Sequence, residues 1–487
     1  MKNLIYICTI IVLLGCTQTN VEDKLISGVT ITGKIENPKS DYAIFRSGKG
    51  KESQADTAFL DSMGKFSLFI ELKEEKYGWF IHGGPFEING ITMLRSERTA
   101  MYFVPGDSIE LTINPEMFDE SISYYGSGGA INNYLAKRYL IEEKMGIPAK
   151  EMYALDPQAF SSKTDSIKAA LITHLNLYVK ENPEAPKKFT KNERANTIYS
   201  WALKRINYPE FHRNYTEFAS FDLGPEYYKY LSDLNLDDSS LTENLIYKNF
   251  LNEYIASEAK KVIAEDTSLT NENIGLLEVK IQMATELFKT KDLSNYLLFN
   301  CMYQYIKQKG TKGIGALMEE FEKTCTNDEY KTKVRESYDI WKNLVEGNEA
   351  PDFACPDINE DSVSLSDFRG KYVYVDIWAT WCGPCRRELP HLEKLQEEYK
   401  DKNIVFLSVS IDEDEEAWKK MVKEKKMKGI QLIAAQGWDA GICKFYGIKS
   451  IPRFLLIGKD GEIIFAKAER PSRGIDEILK NLEGLRS

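Results

Sequence analysis

The chain has 487 residues, which at roughly 100–200 residues per domain suggests about three domains. Apolar residues make up 43% and charged residues 28%, a mix that buries real cores and is not that of a disordered chain. Lys and Arg number 63 against 74 Asp and Glu, a net charge of −11 that argues against a general nucleic-acid binder. Four scattered histidines, His82, His174, His212 and His391, argue against a His-rich metalloenzyme.

The N-terminus opens with Lys2 and an apolar run from Leu4 to Leu14, then closes on Leu13-Leu14-Gly15-Cys16. The run is too short to span a bilayer and has the shape of a secretory signal. Its end resembles the bacterial lipobox. That resemblance implies a signal peptide over residues 1–16, lipid on Cys16 and attachment to a membrane, with an ordinary signal peptide and a chance cysteine as the alternative. Thr17 to Lys24 reads as a polar tether. No later segment has 18 uninterrupted apolar residues, so the rest is expected to be soluble apart from its anchor.

Residues 24–120 carry β signals. Asp61-Ser62-Met63-Gly64 is a turn before Phe66-Ser67-Leu68, and Val104-Pro105-Gly106-Asp107 separates Met101-Tyr102-Phe103 from the alternating Ile109, Leu111 and Ile113. These half-buried strands predict an antiparallel, sandwich-like domain. Gly126-Ser127-Gly128-Gly129 lacks the Lys-Ser/Thr of a phosphate cradle and reads as a flexible joint.

Residues 130–343 are predicted helical, with Leu287-Phe288, Leu297-Leu298, Met302 and Ile306 near helical spacing. Tyr227, Tyr228, Tyr230, Tyr247 and Tyr254 suit either helix cores or a peptide groove. Cys301 and Cys325 continue helical apolar stripes; with Cys355 and Cys443 they read as small buried hydrophobes, disulfides being the alternative in an exported chain. Glu346 to Pro351 reads as a linker, and residues 347–487 alternate strands and helices as an α/β domain requires.

Lys371 to Ala379 is a nearly continuous apolar run of the kind found in a central strand buried on both faces. It leads into Thr380-Trp381-Cys382-Gly383-Pro384-Cys385, followed by a helix with Leu389, Leu392, Leu395 and Tyr399 on one face and Glu388 elsewhere. Strand, Cys-x-x-Cys and helix in that order put Cys382 at a helix N-terminus, where unpaired N–H groups and the dipole stabilise a thiolate. Cysteines three apart in a first turn are near enough to close a disulfide. Zinc would need a second Cys/His pair, and covalent haem would need His where Arg386 stands. A peroxiredoxin would carry Pro and Thr where Val375 and Ala379 stand. A redox dithiol remains, without metal or cofactor. Asp376, six residues before Cys382 in the apolar run, should have a raised pKa suited to moving protons near neutral pH. The run Asp412 to Glu416, with the lysines after it, is expected to be one solvated helix, Gly474 to Leu485 a closing helix, and Lys459-Asp460-Gly461 a hairpin turn.

Ala350-Pro351-Asp352-Phe353, Leu365-Ser366-Asp367-Phe368, Trp381-Cys382-Gly383-Pro384-Cys385-Arg386, Glu388-Leu389-Pro390 and Gly447-Ile448-Lys449-Ser450-Ile451-Pro452 together resemble the TlpA-like group of thioredoxin-fold envelope proteins. The resemblance implies a C-terminal thioredoxin fold and a redox disulfide between Cys382 and Cys385, flanked by Trp381, Gly383 and Pro384. It also implies that Pro452 is cis opposite the dithiol, with Ile451 beside it as a client-docking edge, and that Asp376 helps deprotonate Cys385. Thioredoxin pairs that acid with a strand lysine; Ser408 aligns there. The Gly-Pro pair is that of thioredoxin, reducing at roughly −270 mV, so a reductase of client disulfides, recharged by a membrane dithiol donor and facing the periplasm, is expected. Thr32-Gly33-Lys34-Ile35, Pro105-Gly106-Asp107-Ser108 and Asn132-Asn133-Tyr134-Leu135 are similar to a β-rich module of unassigned activity that precedes such domains. The alternative is a client-binding or assembly lipoprotein whose thioredoxin module is an oxidase, an isomerase or mainly an interaction domain.

Overall fold

A computed structural model describes residues 27–48, 53–88, 91–216, 223–265 and 272–485. The signal segment, Cys16 and the tether lie outside the described residues. Two compact units divide the rest: residues to 201 with 210–216, and 202–209 with 223–485.

The first unit opens with eight strands: β1 (Gly28–Ile35), β2 (Tyr42–Ser47), β3 (Gln54–Phe59), β4 (Lys65–Glu71), β5 (Lys76–Ile88), β6 (Ile91–Phe103), β7 (Ser108–Ile113) and β8 (Ser123–Tyr125). They form two four-stranded sheets, ordered β4-β1-β7-β8 and β3-β2-β5-β6. Val29, Ile31, Ile109 and Leu111 of the first sheet share one core with Phe45, Phe80, Met101 and Phe103 of the second. Their period of two sends alternate side chains inward, which makes a sandwich. The β1–β7 ladder is parallel and the other pairs are antiparallel. The Asp61–Gly64 turn carries the chain from one sheet to the other: the Asp61 carboxylate accepts the Met63 and Lys65 N–H groups. Gly64 sits there at φ +73°, and a Cβ would come 2.2 Å from the Ile35 carbonyl oxygen. Helices follow at Gly129–Met145 and Pro157–Glu181.

In the second unit, helices Leu245–Glu265, Glu272–Glu286, Lys291–Lys309, Gly315–Thr324 and Asp328–Trp341 precede the α/β domain. Leu297, Leu298, Met302 and Ile306 are fully buried, whereas Leu287, just past a helix end, is exposed. Tyr227, Tyr230 and Tyr247 are buried. The segment expected to be a linker is pinned: Gly347 N–H donates to the Ile463 carbonyl and Ala350 N–H to that of Gly461.

A short hairpin, β9 (Ala354–Pro356) and β10 (Ser362–Ser364), leads to a five-stranded sheet. That sheet comprises β11 (Tyr372–Trp378), β12 (Ile404–Ser410), β13 (Ile430–Ile433), β14 (Arg453–Ile457) and β15 (Ile463–Phe465), in the order β13-β12-β11-β14-β15. All seven β11 residues are buried, as a central strand with both faces covered requires. Helix Gly383–Glu398 follows β11, and β12 returns parallel to it, the βαβ arrangement of an α/β domain. The chain is thus multidomain, with N-terminal β-sheets, a central helical region and a C-terminal thioredoxin fold.

Two local expectations need correction. The acidic run does not begin a helix at Asp412; Asp414 caps a helix over Glu415–Lys425, and Asp412 is buried before it. The closing helix is shorter than the stretch expected, Ile475–Asn481.

Candidate active site

β11 delivers the chain to a loop, Ala379–Trp381, whose conformation is held from the neighbouring strand. The Asp412 carboxylate accepts the Thr380 N–H at 2.8 Å and the Thr380 hydroxyl at 2.7 Å, and the Ser410 hydroxyl donates to it at 2.6 Å. Helix Gly383–Glu398 starts immediately after, with Cys382 as its N-cap and a proline in its first turn. Pro384 is tolerated there because the first helical N–H groups have no intrahelical partner.

Cys382 and Cys385 are disulfide-bonded, with Cα atoms 5.3 Å apart. Cys382 Sγ accepts the Cys385 N–H at 3.1 Å. In the reduced dithiol that donor and the positive end of the helix dipole face the same sulfur, the arrangement that lowers a thiol pKa. Both cysteines are buried, whereas Gly383 and Pro384 between them are exposed. Trp381 is 59% exposed beside the ring of Trp438, 6.2 Å away between centroids. The Ile451–Pro452 peptide is cis. Arg453, next in sequence, pairs with Ile377 of β11, so Pro452 and the dithiol loop lie at the same end of the sheet.

Asp376 occupies the middle of this sheet, 4% exposed, opposite Ser408 on β12 and Phe454 on β14. Burial, and then the nearby negative charge of Glu388, push its carboxyl up to about 8. No lysine faces it from the ladder, and the buried Ser408 hydroxyl there has no hydrogen-bond partner among the described residues.

Glu388 is the member of the site that the apolar pattern missed. It is 7% exposed, and its carboxylate accepts the Ser472 N–H at 3.0 Å and the Ser472 hydroxyl at 2.9 Å, with Arg470 at 3.7 Å. The usable signal was spacing: Cys385, Glu388 and Leu392 recur at helical intervals and all three are buried. Asp412 was missed because it sits inside a run of exposed acids.

The remaining cysteines lie elsewhere. Cys301, Cys325, Cys355 and Cys443 are free and buried, and burial pushes Cys301, Cys355 and Cys443 up to about 11, so they stay protonated at neutral pH. Among the described residues, no three His, Cys, Asp or Glu side chains gather as a metal site.

Residues 345–482 match the Redoxin family. Thiol-disulfide oxidoreductase ResA of Bacillus thuringiensis subsp. konkukian is 36% identical over 137 residues, covering 28% of this chain and 78% of the relative. ResA of Bacillus subtilis is 27% identical over 123 residues, covering 25% and 67%. Among solved structures, the thioredoxin domain of a thiol-disulfide oxidoreductase from Bacteroides vulgatus is 37% identical, covers 28% of this chain and 97% of that one, and has a TM-score of 0.26.

Proposed function

The chain belongs to the thiol–disulfide oxidoreductases of the TlpA and ResA type, and on that premise we propose that it is an envelope reductase of client-protein disulfides, anchored by lipid on Cys16. The observation that carries the reading is the position of Cys382: N-cap of a helix, accepting the Cys385 N–H, one turn from its disulfide partner.

The cycle has two exchanges. Cys382 as thiolate attacks one sulfur of a client disulfide; the client S–S bond breaks, a bond from Cys382 to the client forms, and the other client sulfur leaves as thiolate and takes a proton. Cys385 then gives its proton to Asp376 in its ionised form, which a carboxyl titrating near 8 still populates at neutral pH, and attacks Cys382 Sγ; the same proton passes on to the departing client sulfur. The mixed disulfide breaks, the second client thiol is released, and the client has gained two electrons while Cys382–Cys385 is oxidised. Burial suits Asp376 to this step, because an acid titrating near 8 can take and return a proton at neutral pH. Ile451 and the cis Pro452 supply the docking edge for the client backbone, with exposed Trp381 beside the dithiol. A membrane dithiol donor on the periplasmic side restores the reduced pair.

Two measurements test this. Alkylation of reduced Cys382 across a pH series is expected to give a pKa below the roughly 8.5 of free cysteine. Equilibration with dithiothreitol is expected to give a potential near −270 mV, and a value near the −120 mV or so of a strong oxidant would reject the reductase direction.

A further inference from the structure

We infer that the central helices and the α/β domain together form a client subsite for an acidic side chain, a cationic pocket beside the Ile451–Pro452 docking edge; this rests on the reductase reading and names the client chemistry of that same site. The pocket, about 130 Å³, lies where helices Lys291–Lys309 and Asp328–Trp341 face the Gly447–Lys449 turn. It suits one side chain, being well below the roughly 300–1,000 Å³ of a small-molecule site. Gly447 is four residues before Ile451 and Lys449 two, a span of at most about 14 Å. A client segment docked on Ile451 therefore has the residues two to four positions from its cysteine within reach of the pocket.

The helices contribute Lys307 and Lys333 to the lining, and the turn contributes Lys449. Lys333 is matched by Glu329. Lys307 and Lys449 make no ion pair among the described residues, and neither do Lys309 and Lys467 close by. The Tyr303 ring, 5.2 Å from Lys307 Nζ, supports that ammonium without neutralising it. These cations crowd one another: burial, and then the charges of Arg453, Lys307 and Lys309, hold Lys467 below its usual range, with Glu469 opposing them. A helix C-terminus accounts for Lys307 and Lys309 through its dipole. It does not account for Lys449 and Lys467, which the α/β domain brings to the same place in a chain of net charge −11.

Neutral donors there are also unspent. Trp341 and Ser337 line the pocket, and neither the indole N–H nor the hydroxyl donates to a group among the described residues. Trp341 Nε1 lies at the Gly447 turn, 3.4 Å from where a Cβ on that glycine would stand. A carboxylate accepts from ammonium, hydroxyl and indole N–H alike, and a client ammonium would be repelled. Glu336 is the one acid on the lining, so its removal should strengthen the preference.

The test uses the reduced full chain at low ionic strength and peptides whose single cysteine is disulfide-bonded to 2-mercaptoethanol. One series carries Asp two to four residues from the cysteine and the other carries Lys; hydroxyethyl disulfide is the uncharged reference. The readout is the rate of Cys382 oxidation by each peptide divided by the rate with the reference. Asp peptides are expected to react at least about fivefold faster than Lys peptides, against the pull of the net charge, and about 0.5 M salt is expected to shrink the ratio below about twofold. Lys307→Glu also brings it below about twofold, Lys307→Arg retains it and Glu336→Gln raises it. Equal rates, a Lys preference, or an Asp preference that Lys307→Glu leaves intact overturns the subsite. So does a Lys307→Glu chain that loses only its binding to phosphatidylglycerol vesicles, since the cations would then serve a lipid surface. Failure of the unaltered chain to reduce hydroxyethyl disulfide would instead overturn the reductase reading itself.

Discussion

Asp376 keeps its proton to about pH 8 because its two surroundings act in the same direction: burial removes water from the charged form, and Glu388 adds a like charge. The ordinary value is 3.8, so between about pH 4 and pH 8 the folded disulfide form binds a proton that the unfolded chain does not. Stability from this group is therefore present below about pH 4 and is lost as pH rises through 8. Asp376→Asn is expected to stabilise the oxidised protein at pH 8 by roughly 2–5 kcal/mol, at about 1.4 kcal/mol per pKa unit, with the gain vanishing near pH 4. Urea titrations at the two pH values check this; a gain of the same size at both would reject it. The same variant is expected to slow release of a trapped client about tenfold or more at pH 7, because general-base help is lost. Asp376 was legible because a lone acid in an apolar strand stands out. Glu388 was not, since an acid in a helix reads as solvated until its partner, Ser472, is placed 84 residues away.

Among the elements, the Thr380 loop has the clearest dependence on one distant group. Asp412 holds both the N–H and the hydroxyl of Thr380, so Asp412→Ala leaves a partly buried N–H and the Ser410 hydroxyl short of an acceptor. The expected cost is about 1–3 kcal/mol in urea unfolding, together with slower reduction of glutathione disulfide as the dithiol loop loosens. An unchanged rate would mean that the loop is held by its chain connections alone. The central strand could be read directly, since seven consecutive residues fit only burial on both faces. The start of the next helix could not: an acidic run looks uniform, and which acid caps it depends on Asp414 reaching the Ala417 N–H. Nor does sequence show that β3 and β4, joined by one tight turn, enter different sheets.

For the whole molecule, the order β-rich, helical, α/β was visible because the hydrophobic period changes along the chain, from two to near 3.6 and then to an alternation of the two. Strand order was not, because it depends on contacts between residues far apart. Whether residues 24–343 recruit clients is tested by trapping with Cys385→Ala. The full chain is expected to hold a narrower set of clients than a chain beginning at Gly347; identical sets captured equally well would remove the recruiting role.

The α/β domain meets its helical neighbour at Arg453, the residue after Pro452. Its guanidinium donates twice to the Ala466 carbonyl, lies 5.3 Å from the Trp341 ring, and is pushed down to about 10 by burial. Trimming at Gly347 therefore strips an indole roof from a cation adjoining the proposed docking edge. A shortened protein that captures little could be reporting rehydrated arginine instead of absent recruitment, and a second cut placed ahead of Asn327, which keeps that roof, tells the two apart.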